Sequence, residues 1–266
     1  MKFTIFGADG FIGSACVSHL RTRGHGVVAV SRGALLPEGE ALGHVIYAIG
    51  VTADFRQKPF ETVDAHVSTL AQLLKNSQFD SWLYLSSTRV YGNSTMQQLA
   101  QETQPVTVYP NADGLYDISK LMGESLCLSQ PSPAIRVARL SNVYGEGQNS
   151  QNFLSSVLQD VKQKRAVTIN ETPESSKDYI ALADIVTLLE SIATSGQKRI
   201  YNVASGRPVS HQELADALAR LGNYRVTFTQ GAPQRTFPTI DNTAVRAEFK
   251  YAPRLLLDDL ADLLLL

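Results

Sequence analysis

Tyr116 and Lys120 stand four positions apart in the run Tyr116-Asp117-Ile118-Ser119-Lys120, a spacing that puts two side chains on one face of a helix. The pair suits proton transfer. A free tyrosine ionises at about pH 10, and a neighbouring ammonium favours the phenolate. Lys120 supplies that cation and can also hydrogen-bond a sugar hydroxyl of a bound carrier. Tyr116 can then take a proton from a hydroxyl, or return one to a ketone, while a bound carrier moves hydride. Upstream, Ser86-Ser87-Thr88-Arg89-Val90-Tyr91-Gly92 closes the apolar run Trp82 to Leu85. Ligands of an open α/β sheet lie beyond the carboxyl ends of its strands. Ser87 is therefore the hydroxyl expected to bond the reacting oxygen, with Thr88 second.

A carrier site is written at the N-terminus. The run Phe3 to Phe6 feeds Gly7-Ala8-Asp9-Gly10-Phe11-Ile12-Gly13, and a helical pattern follows. A strand, turn and helix in this order aim free backbone N–H groups and the positive helix end at a pyrophosphate. Gly7 permits the turn, Gly10 permits close approach, and Gly13 permits tight packing of helix on strand. The spacing is one residue longer than the common dinucleotide fingerprint. At the end of the next strand, Val27 to Val30, stands Ser31-Arg32 rather than an acidic residue. An arginine there pairs with a ribose 2′-phosphate, which favours NADP(H), with NAD(H) the alternative.

Elements that would position these groups follow from periodicity. Apolar strand-like runs at Phe3 to Phe6, Val27 to Val30, Val45 to Tyr47, Trp82 to Leu85 and Ile135 to Ala138 are separated in most cases by helical patterns. The helices are Phe11 to Thr22, Thr62 to Asn76 and Leu115 to Leu128. Such alternation predicts an α/β fold, a parallel sheet covered on both faces. Beyond Asn142 the spacing predicts helices at Asn152 to Lys164, Ala183 to Ala193, Ser210 to Leu221 and Thr243 to Phe249. Strands are expected near Val167, at Ile200 to Val203 and at Val226 to Thr229.

Composition narrows the class. The chain has 266 residues, 44% hydrophobic and 18% charged, with a net charge of -1. It lacks the basic field that drives nucleic-acid binding. Cys16 and Cys127 fall in helical segments and read as buried, reduced thiols. His19, His25, His44, His66 and His211 are scattered with no paired ligand spacing, so no metal is expected. No apolar stretch, Leu263 to Leu266 included, approaches the roughly 18 residues needed to span a bilayer. The expectation is a soluble, cytoplasmic enzyme without membrane contact.

These motifs together resemble the extended short-chain dehydrogenases/reductases, in particular the nucleotide-sugar epimerases, dehydratases and reductases. Arg139-Leu140-Ser141-Asn142-Val143-Tyr144-Gly145, Lys177-Asp178-Tyr179-Ile180 with Asp184, and Tyr201-Asn202-Val203-Ala204-Ser205-Gly206 extend the similarity along most of the chain. The resemblance implies a doubly wound Rossmann sheet from residues 1–147 and 178–205, with a small substrate-binding lobe from 148–177 and 206–266. It implies a catalytic set of Ser87, Tyr116 and Lys120, with Ala48 to Gly50 facing the cofactor. Asn142 is the expected substrate contact, and Lys177, Arg207 and Arg235 are candidates for a diphosphate or else ordinary solvated charges. A homodimer through the tyrosine helix and its predecessor is also implied.

Departures refine the expectation. The link from Arg32 to His44 is too short for a third strand and its helix. His66 stands where relatives carry asparagine, and it reads equally as a packed or a functional histidine. Thr88-Arg89 replaces the Asp-Glu pair with which the dehydratases eliminate water, which ranks dehydration low. The favoured reading is an NADPH-dependent keto-sugar reductase. A nucleotide-sugar epimerase with tightly bound NAD is the alternative. A non-catalytic dinucleotide-binding sensor is the second alternative, but such proteins tend to lose the tyrosine or the lysine, and both are retained.

Overall fold

The computed structural model describes residues 1–34, 39–92, 99–148, 152–235 and 237–265. Residues 35–38 of the short link and Leu266 of the terminal apolar run lie outside these. Strand β1 (Lys2–Phe6) leads to α1 (Phe11–Thr22), β2 (Gly26–Val30) and β3 (His44–Tyr47). A continuous helical segment follows, made of α2 (Pro59–Val63), a π-helical turn (Asp64–Ser68) and α3 (Thr69–Asn76). Next come β4 (Ser81–Ser87), a 3-10 turn (Thr88–Tyr91), α4 (Leu115–Leu128) and β5 (Ile135–Leu140). The remaining elements are β6 (Asn142–Tyr144), α5 (Phe153–Lys164), β7 (Ala166–Ile169), β8 (Ser176–Ala181), α6 (Leu182–Ser195) and β9 (Ile200–Val203). The chain closes with β10 (Pro208–Ser210), α7 (His211–Leu221), β11 (Arg225–Phe228), α8 (Thr243–Phe249) and α9 (Leu256–Leu265).

The main sheet runs β2-β1-β3-β4-β5-β9 with every pair parallel. Alternate side chains enter two cores. Phe3, Ile5, Leu83 and Leu85 pack with Cys16 and Leu20 of α1 and with Ile185 and Leu189 of α6. Phe6, Val45, Tyr47, Trp82 and Tyr84 pack on the other face with Leu70, Leu74 and Cys127 of α3 and α4. A parallel sheet needs both faces covered, which explains why its strands read as short apolar runs. Because β2 lies on one side of β1 and β3 on the other, the winding reverses at β1, where an open α/β sheet forms its ligand crevice. No strand lies beyond β2 among the described residues, in line with the short link.

The sequence reading places these six strands and α1, α4 and α8 correctly. It misses a second sheet, β10-β8-β6, and helix α9. The reason is physical: β6 and β10 have three residues each, and β8 carries Lys177 and Asp178, so none shows a clear period-two pattern. The helix expected from Thr62 to Asn76 begins earlier, with Pro59 in its first turn, and contains the π turn. Both cysteines are buried and free, and burial pushes each thiol up to about 12. No helix among the described residues is long and apolar enough to cross a membrane.

Candidate active site

The glycine turn has no room for a side chain at Gly7 or Gly13 and little at Gly10. Gly7 adopts φ +79°, and a Cβ there would lie 2.9 Å from the Ala48 carbonyl carbon. A Cβ on Gly13 would lie 2.1 Å from Gly7 O, and one on Gly10 would lie 3.3 Å from the same oxygen. Gly10 caps α1 with no side-chain bond, and the first turn has no acidic residue. The first-turn N–H groups of Phe11, Ile12 and Gly13 thus face an uncapped, electropositive helix end, which suits a pyrophosphate. Ser31 Oγ donates to Asp9 Oδ1 at 2.9 Å, which draws the end of β2 against this turn, while Arg32 is exposed.

From the turn, Ala48 to Gly50 leads across the sheet. Ala48 N donates to Phe6 O at 2.9 Å, and Gly50 is exposed. A Cβ on Gly50 would stand 3.4 Å from His66 Nε2 and 3.5 Å from Lys120 Nζ. The segment Ala48 to Gly50 thus lies against the glycine turn at one end and beside Lys120 at the other.

Helix α4 lies against β4 and the π turn because Gly123 lets it: a Cβ there would be 2.4 Å from Tyr84 Oη and 2.7 Å from His66 O. Tyr116 and Lys120 share its buried face. Lys120 Nζ donates to Leu85 O at 2.9 Å, and burial pushes this ammonium down to about 7, with Glu124 opposing. Ser87, which ends β4, stands close enough to favour the ionised form of Tyr116. Burial pushes its phenol up to about 12, against the Ser87 side chain and the positive charge of Arg89. Its ring packs on Phe55 at 5.6 Å and meets His66 edge-on at 5.3 Å.

Sequence reasoning assigned Arg89 no role beyond the absence of an acidic pair. It lies with its guanidinium 5.2 Å from the Tyr116 ring centre, against 6.0 Å for the Lys120 ammonium. Its only sequence-level signal is a position two residues after the hydroxyl that ends β4. Thr88, the second-choice hydroxyl, is buried and opens the 3-10 turn.

The proposed substrate contacts divide. Asn142 is exposed at the start of β6 and donates to Asp178 O at 2.8 Å. Lys177 and Arg235 converge on one carboxylate, Glu171, at 3.3 Å and 3.6 Å. Arg235 and Glu171, but not Lys177, line a cavity of about 450 Å³ together with Phe153 and Ile169. Arg207 is not part of that group and pairs instead with Glu213 at 3.6 Å. His211, unassigned from sequence, stacks on Phe153 at 4.2 Å, and burial lowers it to about 4, so it is neutral.

The model of the NAD dependent epimerase/dehydratase family matches residues 3–204. The chain belongs to this family. A dTDP-D-glucose 4,6-dehydratase of Dictyostelium discoideum is 22% identical over 163 residues, covering 57% of this chain and 37% of that protein. The chain thus matches little more than a third of the length of that curated relative. Among solved structures, the UDP-glucuronic acid 4-epimerase of Bacillus cereus, complexed with UDP-glucuronic acid and NAD, superposes with a TM-score of 0.80 at 17% identity, covering 98% of this chain and 97% of that one. RMD of Pseudomonas aeruginosa, complexed with NADPH, gives 0.79 at 20% identity, covering 99% and 97%. These likenesses establish the Rossmann-type fold of the family.

Proposed function

We propose that this chain moves hydride between a nicotinamide dinucleotide and a sugar carbon of a nucleotide-linked substrate, in the favoured form an NADPH-dependent reduction of a keto-sugar. One observation carries the reading: Tyr116 and Lys120 share the buried face of α4 beside Ser87 at the carboxyl end of β4, with Lys120 Nζ 3.5 Å from where a Cβ on Gly50 would stand. The N–H groups of Phe11, Ile12 and Gly13 would hold the pyrophosphate, and Ser31 and Arg32 the adenosine ribose. When bound, the cofactor supplies the hydride. Ser87 bonds the carbonyl oxygen of the substrate, and Tyr116 delivers its proton there as the carbon is reduced. Lys177 and Arg235, held together by Glu171, offer two cations for a nucleotide diphosphate.

Arg32 supports NADPH over NADH, since a guanidinium matches a 2′-phosphate. A second reading, epimerisation with tightly held NAD, is supported by Asp9. Its carboxylate sits at the end of β2 through its bond to Ser31, where an acid can accept a ribose hydroxyl. Elimination of water finds less support, because Arg89 occupies a place where an acid or base would be needed. The test is a panel of UDP-, dTDP-, GDP- and CDP-linked 4-keto sugars with NADPH and NADH. Net loss of reduced nicotinamide supports the reductase. Turnover with co-purified cofactor and no net change in its absorbance would replace it with the epimerase.

A further inference from the structure

Arg89 is held from four directions, one of them the buried carboxylate of Asp117. Its backbone N–H donates to Ser87 Oγ at 3.2 Å, and Nη2 donates to Asp113 O at 3.1 Å. Nε lies 3.3 Å from Asp117 Oδ1, and the guanidinium covers the Phe55 ring at 4.8 Å. The result is a planar cation fixed 5.2 Å from the centre of the Tyr116 ring, with a side chain 35% exposed.

We propose that the Arg89 guanidinium is the permanent cation that favours ionisation of Tyr116, acting as a positioning residue through that phenol. The proposal rests on Tyr116 being the proton-transfer group. The lysine of the pair is poorly placed to act alone. Lys120 is buried, its Nζ is bonded to Leu85 O, and it lies farther from the ring than Arg89 does. With its affinity for the proton pushed down to about 7, Lys120 is only partly charged at neutral pH. A guanidinium stays charged throughout.

The other groups around the phenol do not supply that charge. On α4, Asp117 opposes ionisation of Tyr116, and burial raises its own carboxyl to about 6. On the π turn, His66 is neutral, lowered to about 2 by burial. In the loop before α2, Arg56 lies over Phe55 at 4.5 Å and is paired with Asp113. On β4, Ser87 offers a hydroxyl. Glu124 acts on Lys120 rather than on the ring.

The test reads the phenol directly. Protein labelled at tyrosine Cζ with carbon-13 is titrated by NMR from neutral pH to the alkaline limit of the folded protein, alone and with saturating NADP⁺. The Tyr116 signal is identified by its loss in Tyr116→Phe. Arg89→Gln is expected to raise the Tyr116 midpoint by roughly one pH unit, or equivalently to cut the phenolate fraction at the highest common pH about tenfold. Arg89→Lys, which keeps a charge, is expected to restore most of it. An unchanged Tyr116 titration in Arg89→Gln overturns the proposal. Arg89→Met, which keeps the contact with Phe55, repeats the test should the glutamine variant unfold. Loss of the fold in both would make Arg89 structural and also overturn it. Because no sugar substrate is used, failure here is distinct from failure of the proposed reaction.

Discussion

His66 Nδ1 lies 2.8 Å from Ser119 Oγ, and its Nε2 accepts the backbone N–H of Val51 at 3.3 Å. The acceptor role of Nε2 places the proton on Nδ1, so the ring donates to Ser119, whose hydroxyl donates in turn to Tyr116 O at 2.9 Å. One neutral, fully buried imidazole therefore joins the segment after Gly50 to the helix that carries Tyr116. The sequence left His66 open between packed and functional; the structure makes it a buried strut between two parts of the candidate site.

This strut predicts an acid sensitivity of known sign. The imidazole is lowered from 6.5 to about 2 in the folded chain, so below pH 6.5 the unfolded state binds the extra proton. Stability from this group is intact above that pH and falls by about 1.4 kcal/mol per pH unit as pH drops toward the folded value. His66→Asn removes the titration, so its urea-unfolding free energy should decline less steeply on the acid side than that of the parent. His66→Ala, which leaves a cavity and two orphaned partners, should cost about 2–4 kcal/mol at neutral pH.

Tyr116→Phe removes the proton but keeps the ring that packs on Phe55. Turnover should drop by roughly 10²–10⁴, while dinucleotide affinity, measured by calorimetry, stays within a few-fold of the parent. Unchanged turnover would remove Tyr116 from the chemistry. Lost affinity with lost turnover would point to a binding role instead.

The legibility of this chain was uneven for identifiable reasons. The glycine turn could be read because its residues are contiguous and flanked by an apolar strand and an amphipathic helix. The YxxxK pair and Ser87 could be read because each ends or rides a strongly patterned element. Arg89 could not, since its approach to Tyr116 depends on a 3-10 turn and on Asp113 and Asp117 arriving from the other side of a long connection. Nor could the sharing of Glu171 by Lys177 and Arg235, which joins residues from separate loops and strands. The three cations proposed together thus fell into one pair and one outlier, Arg207.

Gly13→Ala tests the glycine turn. The added Cβ would meet Gly7 O at 2.1 Å, a backbone atom and not the end of a flexible side chain that could move aside. The variant should lose several degrees of melting temperature and bind dinucleotide at least tenfold more weakly, roughly 1.4 kcal/mol. Retained binding at parental melting temperature would show that helix α1 can shift without harm.

Arg32→Ala tests cofactor choice. If Arg32 pairs with a 2′-phosphate, the variant should weaken NADPH about tenfold or more and leave NADH nearly unchanged. Asp9→Asn serves as the opposite arm: a selective loss of NADH affinity would favour the carboxylate as the ribose acceptor and with it the epimerase reading. Fluorescence titration of each reduced cofactor reads both.

The most costly single change away from the reacting groups is expected at Glu124. Its carboxylate takes Arg139 Nη2 at 2.6 Å and Nε at 3.0 Å, with side-chain exposures of 3% and 6%, and it also accepts the Ser86 hydroxyl. Arg139 reaches on to Tyr91 Oη at 2.6 Å, which donates to Asn202 Oδ1 at 2.9 Å, so α4, β5, the 3-10 turn and β9 meet in one network. Removing one partner of a buried pair leaves an uncompensated charge, so Glu124→Ala should cost about 3–5 kcal/mol. Glu124→Leu combined with Arg139→Met should cost clearly less than the sum of the single changes, because the orphaned charge is gone. Additive losses in a denaturant double-mutant cycle would show that the pair contributes no coupling and that the network is held by its hydroxyl and amide members.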